Sequence, residues 1–549
     1  MPNLPDELLA KILSYLPQRE RLLFWAPLNF RFRAIALAAS TSLTVGNRYL
    51  STCSRAESWL VSYGSSVTSI EWKPLYLYPL KALPCPALRS LHLNDCQVKL
   101  ITEQDNPEPG LLHSCRALKS LSLRNCNVLD TPSEQLAGLS ELTALQELSI
   151  MWDVGCNRQA TQQLCLLPGS LLSQLVQLTG IKLSKQTRFS EVQQIGRLTN
   201  LQHLEVVLAA SEEPQPAEPA APPLEELEEK AGLVGIHKLQ HLTCLHLSCV
   251  EAPQSMGLYP GYLTTLRKMH VQMCQDFDPV MLLHLPHLCD VSVIDSQIVG
   301  EEDAEPQRLT SSLLSVVAQL PEQLTSMDLS GTLQHPATAL ADYEALGALT
   351  ELKVLTLAKC NLPKDIWGQL VSSGNCMPSV RTLLLEDTKP GPQLTTENLP
   401  SLVECFPTLV RLSIVKATTP GIELAPLQEL HRLKHLEVSN GCKKLVKGII
   451  ARVPGLLSLQ IEPPSGLADL SLLALTALTE LTGLRVSGGL SEVMHTGACC
   501  CSRCAGKPRA QVCITNKGSN PHQPKVCVVY HQQQQHVDLS CRFCVAVDS

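Results

Sequence analysis

A chain of 549 residues that is 44% apolar but only 4% aromatic can bury a large core tiled chiefly by leucine, and length alone would suggest about three or four globular domains. A formal net charge of −7 and a pI near 6.2 argue against a nucleic-acid binder driven by phosphate contacts. Asp6, Glu7 and Lys11 interrupt the N-terminal apolar residues, and no uninterrupted apolar run of about 18 residues occurs, so neither a signal peptide nor a spanning helix is expected. The expected address is cytoplasmic and/or nuclear, where the 23 cysteines are mostly reduced thiols buried as small hydrophobes.

From Leu4 the chain reads LPDELLAKILSYLPQRERLLFWAPLNFRFRAIALAA. Leu8, Leu9, Ile12, Leu13 and Leu16 share one helical face, Asp6 and Glu7 stand in the first turn, and Pro17 stops the helix. A second piece runs from Arg19 to Ala26 and breaks at Pro27, and a third carries Phe30, Phe32 and Ile35. A three-helix unit of about forty residues buries too little surface to stand alone. Its apolar faces need a partner, in this chain or in another.

The string resembles an F-box. The matching residues are the Leu4-Pro5 opening, Asp6-Glu7, Leu8-Leu9, Ile12, Tyr15-Leu16-Pro17, Glu20-Arg21-Leu22 and the closing Phe30-Arg31-Phe32-Arg33. The resemblance implies that residues 1–41 bind an SKP-family adaptor and, through it, the cullin of an SCF-type ubiquitin ligase. It also implies that Leu4, Pro5, Leu8, Ile12, Leu16, Leu28 and Phe32 line that interface. Residues 1–50 hold six Lys/Arg against three acids, a positive stretch in an acidic protein that would favour docking to an acidic adaptor. The segment 42–66 is expected to be a joint, with SLTV as an edge strand and a helix around Arg48 to Val61 carrying Leu50, Trp59 and Leu60.

From Val67 a template L-x-x-L-x-L recurs, as in LKVLTLAKC at 352–360. Copies start at Val67, Leu88, Leu118, Leu145, Leu178, Leu201, Leu242, Leu266, Leu288, Leu324, Leu352, Val380, Leu409, Leu433, Leu456 and Leu481. The average interval, about 28 residues, and the template resemble leucine-rich repeats. Leu355 and Leu357 alternate at strand period, so Val354, Thr356 and Ala358 face the other way. One strand cannot bury its apolar side alone, but stacked copies form a parallel sheet over a continuous core. The fold class expected is therefore α/β, a leucine-rich-repeat solenoid over 67–490 with its parallel sheet on the concave face of an uneven horseshoe. Return segments should include helices such as Arg308 to Leu320, where Leu309, Leu313, Val316, Val317 and Leu320 share a face.

In the family, the position eight after the first leucine carries Asn or Cys, whose side chain satisfies backbone groups in the turn after the strand. Cys96, Cys126, Cys274 and Cys360 fill it here; the hydroxyls of Ser296, Thr332 and Thr388 can substitute, whereas Ala417, Gly441 and Pro464 cannot.

Outward strand positions spell the candidate target-binding surface. Position five changes character from repeat to repeat, from Glu71 and His92 through Lys182 and Asp328 to Glu437 and Arg485, so no polyanion or lipid ligand is indicated. His203, Cys244, His246, Lys268 and His270 form a basic-leaning group suited to an acidic or phosphorylated peptide, or to no more than keeping the sheet wet. Between Leu201 and Leu242, an insert at 211–230 carries seven Glu against one Lys and is dense in proline, a composition expected to be disordered over 211–223.

After Gly489 the leucine pattern stops. Residues 491–549 hold eight cysteines and a glutamine run at 532–535, and are expected to form a disordered tail; Cys501, Cys504, Cys541 and Cys544 are paired as two C-x-x-C knuckles, weak candidates for zinc. His237/His241 and His431/His435 have metal-like spacing but run into repeat starts. No G-x-S-x-G, G-x-G-x-x-G, phosphate loop or H-E-x-x-H occurs, so a catalytic role, a cofactor, a nucleic-acid partner and a membrane partner are not expected. Two functional classes remain open: a non-catalytic substrate receptor of a ubiquitin ligase, and a leucine-rich-repeat scaffold or enzyme regulator whose helical head merely caps the array.

Overall fold

A computed structural model describes two compact units, Met1–Leu266 and Arg267–Ser549. In the first, residues 8, 9, 11, 41–47, 50–74, 78–80, 82–98, 111–128, 137–151, 165–167, 174–184, 187–189, 192–207, 236–248 and 263–266 are described. In the second, they are 267–274, 277–296, 313–320, 323–332, 343–360, 362–363, 365–388, 394–416, 424–439, 453, 455–462, 483–487, 510–515, 526–530 and 544–547.

All 16 expected strands are present, and each begins two residues after the leucine or valine that opens its repeat. In the first unit Ser42–Asn47 is followed by Ser69–Pro74, Ser90–Asn94, Ser120–Arg124, Glu147–Met151, Gly180–Ser184, His203–Val207 and Cys244–Ser248, every neighbour parallel. In the second, Lys268–Gln272 leads through Asp290–Ile294, Ser326–Asp328, Val354–Thr356, Thr382–Glu386, Arg411–Val415, His435–Ser439 and Ser458–Glu462 to Gly483–Ser487, again all parallel. Register matches position for position: Leu91 pairs with Leu121, Leu121 with Leu148, and Leu355 with Leu383. A slip by one residue would turn every one of these leucines outward and bring polar neighbours into the core, which is why the pattern holds the register. The leucine-rich-repeat reading thus holds for the fold.

The buried core extends further than the six-residue template. Leu139 and Leu142, Ile195 and Leu198, Leu282 and Leu285, and Leu427 and Leu430 are all buried, six and three residues ahead of the repeat's first leucine. Short 3-10 turns hold them: Leu142 N donates to Leu139 O at 3.0 Å and Leu145 N to Leu142 O at 2.9 Å, a spacing repeated at Leu198, Leu239 and Leu430. A three-residue period is that of the 3-10 turn, so this spacing places successive leucines on one side of the approach to each strand.

The thiol ladder is present and buried. Cys96 Sγ donates to Asn94 O (3.2 Å), Cys126 Sγ to Leu93 O (3.4 Å) and Cys360 Sγ to Leu329 O (3.1 Å), while Thr332 Oγ1 donates to Val293 O at 2.6 Å. Ser296 Oγ donates to Ile294 O (2.9 Å) and accepts from Cys274 N (3.2 Å). Thr388 is buried as well, and Ala417, Gly441 and Pro464 lie outside the described residues. One residue earlier the backbone is left-handed in repeat after repeat: Asp95, Asn125, Met273, Asp295, Lys359, Asp387 and Lys416 have φ of 45–55°, and Gly331 has 69°. Each of these amides from Asp95 to Asp387 donates to a carbonyl of the next repeat, for example Asp95 N to Arg124 O at 2.9 Å and Lys359 N to Glu386 O at 2.6 Å. The interstrand bonds offset the strain of the left-handed turn, which costs an L-residue roughly 1–2 kcal/mol.

The segment ahead of the array is a strand, Ser42–Asn47, and a helix, Leu50–Tyr63. Cys53 and Leu60 of that helix are buried, and its Glu57 accepts from Tyr78 Oη at 2.9 Å. Of the first forty residues only Leu8, Leu9 and Lys11 are described, in helical conformation. Of the expected Arg308 to Leu320 helix, 313–317 are helical and Leu313, Val316, Val317 and Leu320 are buried.

Within the tail, three short strands are described. Ala510–Thr515 adds in parallel to Gly483–Ser487, and Val526–Tyr530 and Cys544–Val547 follow antiparallel. Val526-Cys-Val-Val-Tyr530 and Cys544-Val-Ala-Val547 are built from β-branched, aromatic and sulfur-bearing residues that suit a pleated edge.

Candidate protein-interaction surface

Alternation along each strand sends one set of side chains into the core and the other outward. Ser90–Asn94 and Ser120–Arg124 bury their leucines and leave Ser90, His92, Ser122 and Arg124 wholly or partly accessible. Three strands break the alternation: Ser248, Ser292 and Ser413, at outward positions, are buried. Ser413 Oγ donates to Glu437 Oε2 (3.0 Å), and Gln460 Nε2 donates to Glu437 Oε1 (2.6 Å), so three successive repeats hold one carboxylate. Ser292 Oγ has no hydrogen-bond partner among the described residues.

Of the expected target-binding residues, the first unit gathers three. His203 and Cys244 are paired in register, and His246 stands two residues along from Cys244, opposite Glu205. That glutamate changes the electrostatics of the group. Its carboxylate lies 2.5 Å from Lys182 Nζ and 3.7 Å from His246 Nδ1, so the surface alternates in charge instead of leaning basic. Lys268 and His270 belong to the second unit, where Lys268 Nζ lies 3.6 Å from Asp290. Both acids are legible at outward positions of the strand template; a search for clustered bases passes over them.

Among the expected adaptor-binding residues, Leu8 is described and is 49% exposed beside a buried Leu9; Leu4, Pro5, Ile12, Leu16, Leu28 and Phe32 lie outside the described residues. The insert 211–230 lies outside them too, as do Cys501, Cys504 and Cys541, while Cys544 opens a strand. His431 sits in a turn and His435 opens a strand, and His237 lies in a 3-10 turn with His241 in the turn after it, so neither pair stands on an α-helix face. Among the described residues no three His, Cys, Asp or Glu side chains gather as metal ligands, and no helix is long and apolar enough to cross a membrane.

The thiols are held by burial. Cys85 and Cys115, in matching positions of adjacent repeats, are pushed up to about 11 and about 12 by desolvation. Cys96 is raised by its contact with Cys126 and by burial, and Cys405 by burial and then by neighbouring Cys376. Such thiols stay protonated and act as small core residues, not nucleophiles.

No family model and no curated protein matches the chain. Among solved structures it is similar to an internalin from Listeria monocytogenes, at 16% identity and a TM-score of 0.40, covering 78% of this chain and 93% of that one. It is also similar to a leucine-rich-repeat protein from Leptospira interrogans, at 17% identity and a TM-score of 0.43, covering 80% of this chain and all of that one. Within each unit, the arrangement of this chain's own parallel strands is that of a leucine-rich-repeat array.

Proposed function

We propose that the chain is the substrate-recognition subunit of an SCF-type E3 ubiquitin ligase. Residues 1–41 bind an SKP-family adaptor, and through it a cullin, while the repeat array holds a target protein for ubiquitination. The observation that carries this reading is the F-box-like string from Leu4-Pro5 to Phe32-Arg33 ahead of a repeat array with an outward strand face. The role is non-catalytic: other subunits transfer ubiquitin, and this one raises the local concentration of a target lysine. It places the protein in the cytoplasm, the nucleus or both, with no cofactor in the mechanism.

A pulldown of the full-length chain tests it. Adaptor and cullin are expected with the unaltered chain and are lost on deleting residues 1–45 or on combining Pro5→Ala with Leu8→Asp; recovery of neither from cell extract would overturn the proposal. One observation favours a second reading, an adaptor-free scaffold or enzyme regulator with a helical cap. Leu9, on the same predicted helical face as Leu8, is already buried. On that reading Leu8→Asp changes thermal stability and no partner is lost.

A further inference from the structure

The strand face of the second unit has a feature that its alternation pattern does not require, a line of cations along the edge where its strands begin. Lys353, Arg381 and Lys434 each stand immediately before a strand, Arg411 opens Arg411–Val415, and all four are exposed. The backbone fixes their spacing. Arg381 N donates to Lys353 O at 2.8 Å, Arg411 N to Arg381 O at 2.9 Å, and Lys434 N to Val410 O at 2.8 Å. Lys353 and Arg381 are therefore position-matched, Val410 holds the matching place on the next strand with Arg411 one residue further along, and Lys434 holds it on the strand after that. Four successive strands, about 4.8 Å apart per step, each carry one cation.

Lys353 and Arg381 stand directly opposite on neighbouring strands, and like charges so placed repel. Two other cations of the unit are matched, Lys268 by Asp290 at 3.6 Å and Lys359 by Asp295 at 3.9 Å. None of the four cations forms an ion pair with another described residue, although exposed Glu351 precedes Lys353 by two positions. An anionic partner would relieve the repulsion.

The neighbouring strand positions narrow the chemistry of that partner. Val354, Leu384 and Val415 stand outward on the same strands and are half-buried, offering an aliphatic floor beside the cations. No Phe, Tyr or Trp stands at an outward position of the parallel strands from Lys268–Gln272 to Gly483–Ser487, so bases would find nothing to stack on.

We propose that this edge docks an acidic, amphipathic peptide segment of a partner protein. Its Asp and Glu side chains lie against Lys353, Arg381, Arg411 and Lys434, and its aliphatic side chains lie on Leu384 and the flanking valines. The inference names the chemistry of the target held by the repeat array and rests on that reading of the array.

Fluorescence anisotropy on the full-length chain tests it. The probe is a labelled peptide of repeating Glu-Glu-Leu-Leu blocks, compared with its Lys-for-Glu counterpart, with polyglutamate and with oligothymidylate. The Glu-Leu peptide is expected to bind more tightly than all three, and to weaken as salt is raised. Arg381→Glu with Lys434→Glu should weaken it by about tenfold or more, and Leu384→Asp should weaken it as well. Arg381→Gln with Lys434→Gln gives a smaller loss in the same direction if charge reversal disturbs folding. Undiminished binding by either double variant overturns the proposal, as does oligothymidylate or polyglutamate binding as tightly as the Glu-Leu peptide. Adaptor recovery is read in parallel. Loss of peptide binding with adaptor retained isolates this edge, whereas failure to recover adaptor with the unaltered chain sinks the ligase reading and leaves the peptide result standing.

Discussion

The two units share one strand template but return the chain in different ways. In the first, residues at and just past the ladder position form a second parallel row: Tyr78–Leu80 pairs with Cys96–Val98, which pairs with Asn127–Val128. In the second, the return after Cys360 is the helix Ile366–Ser372, and the next is Leu399–Cys405. Local residues account for the difference. Val98 and Val128 follow Cys96 and Cys126 and suit an extended row, whereas Pro363 follows Cys360 and can donate no hydrogen bond to one. The helices fill intervals of 28 and 29 residues, from Leu352 to Val380 and from Val380 to Leu409; the 22 residues from Leu266 to Leu288 and the 24 from Leu409 to Leu433 close with 3-10 turns. The strand face is set by the repeat, and the outer face by what lies between repeats.

The largest test of that separation is Trp367→Ala. The Trp367 ring is fully buried in the helical return, edge-on to Phe406 at 5.4 Å, and its loss should cost about 3–5 kcal/mol. Hydrogen exchange should lose protection in Val354–Thr356, Thr382–Glu386 and Arg411–Val415 while Ser69–Pro74 to Glu147–Met151 keep theirs; a uniform loss across both units would show that returns do not act locally.

A smaller effect is expected at the left-handed turn, which both units share. Gly331 has φ of 69°, and a Cβ there would run into the Asp295 carboxylate, so Gly331→Ala should cost roughly 1–3 kcal/mol. Met273, 46% exposed at φ of 49°, occupies the same place with the wrong residue type, and Met273→Gly should gain up to about 1 kcal/mol. Urea midpoints measure both, and a Met273→Gly variant that is less stable would show that its side chain, not its backbone, matters.

The smallest effect is on pH dependence. Burial holds Cys85 and Cys115 protonated up to about 11 and about 12, above the ordinary thiol value. A raised pKa means the unfolded chain loses these protons first, so the stability they contribute is complete below the ordinary value and falls as pH climbs through the raised ones. Urea midpoints should drop between pH 8 and 11, and the drop should be shallower in Cys85→Ala with Cys115→Ala; an unchanged slope would remove these thiols as its cause.

Much of the array was readable from spacing. Leu88, Leu91 and Leu93 alternate at strand period, and Cys96 follows at the turn, so strand, register and ladder could be expected together. The preceding Leu139–Leu142 type of pair was legible too, as a three-residue period continuing upstream, yet a six-residue template stops short of it. The left-handed residues were hidden: Asp95, Asn125 and Gly331 hint at positive φ, but Met273 and Lys359 do not. For the candidate surface, outward positions were readable and their pairing was not. Glu205 neutralises the group containing His203 and His246 because it stands on the strand between Lys182 and His246, in register with both.

By itself the sequence determined that this chain builds parallel strands with leucines inward, because a period-two pattern repeated at near-constant intervals has only one register that buries it. Tertiary structure decided the rest. Which charges face one another, which turns are left-handed and which thiols are sealed from water depend on residues about 30 positions apart in sequence but one strand spacing apart in space. Interactions at that distance are set by stacking, which no single repeat contains.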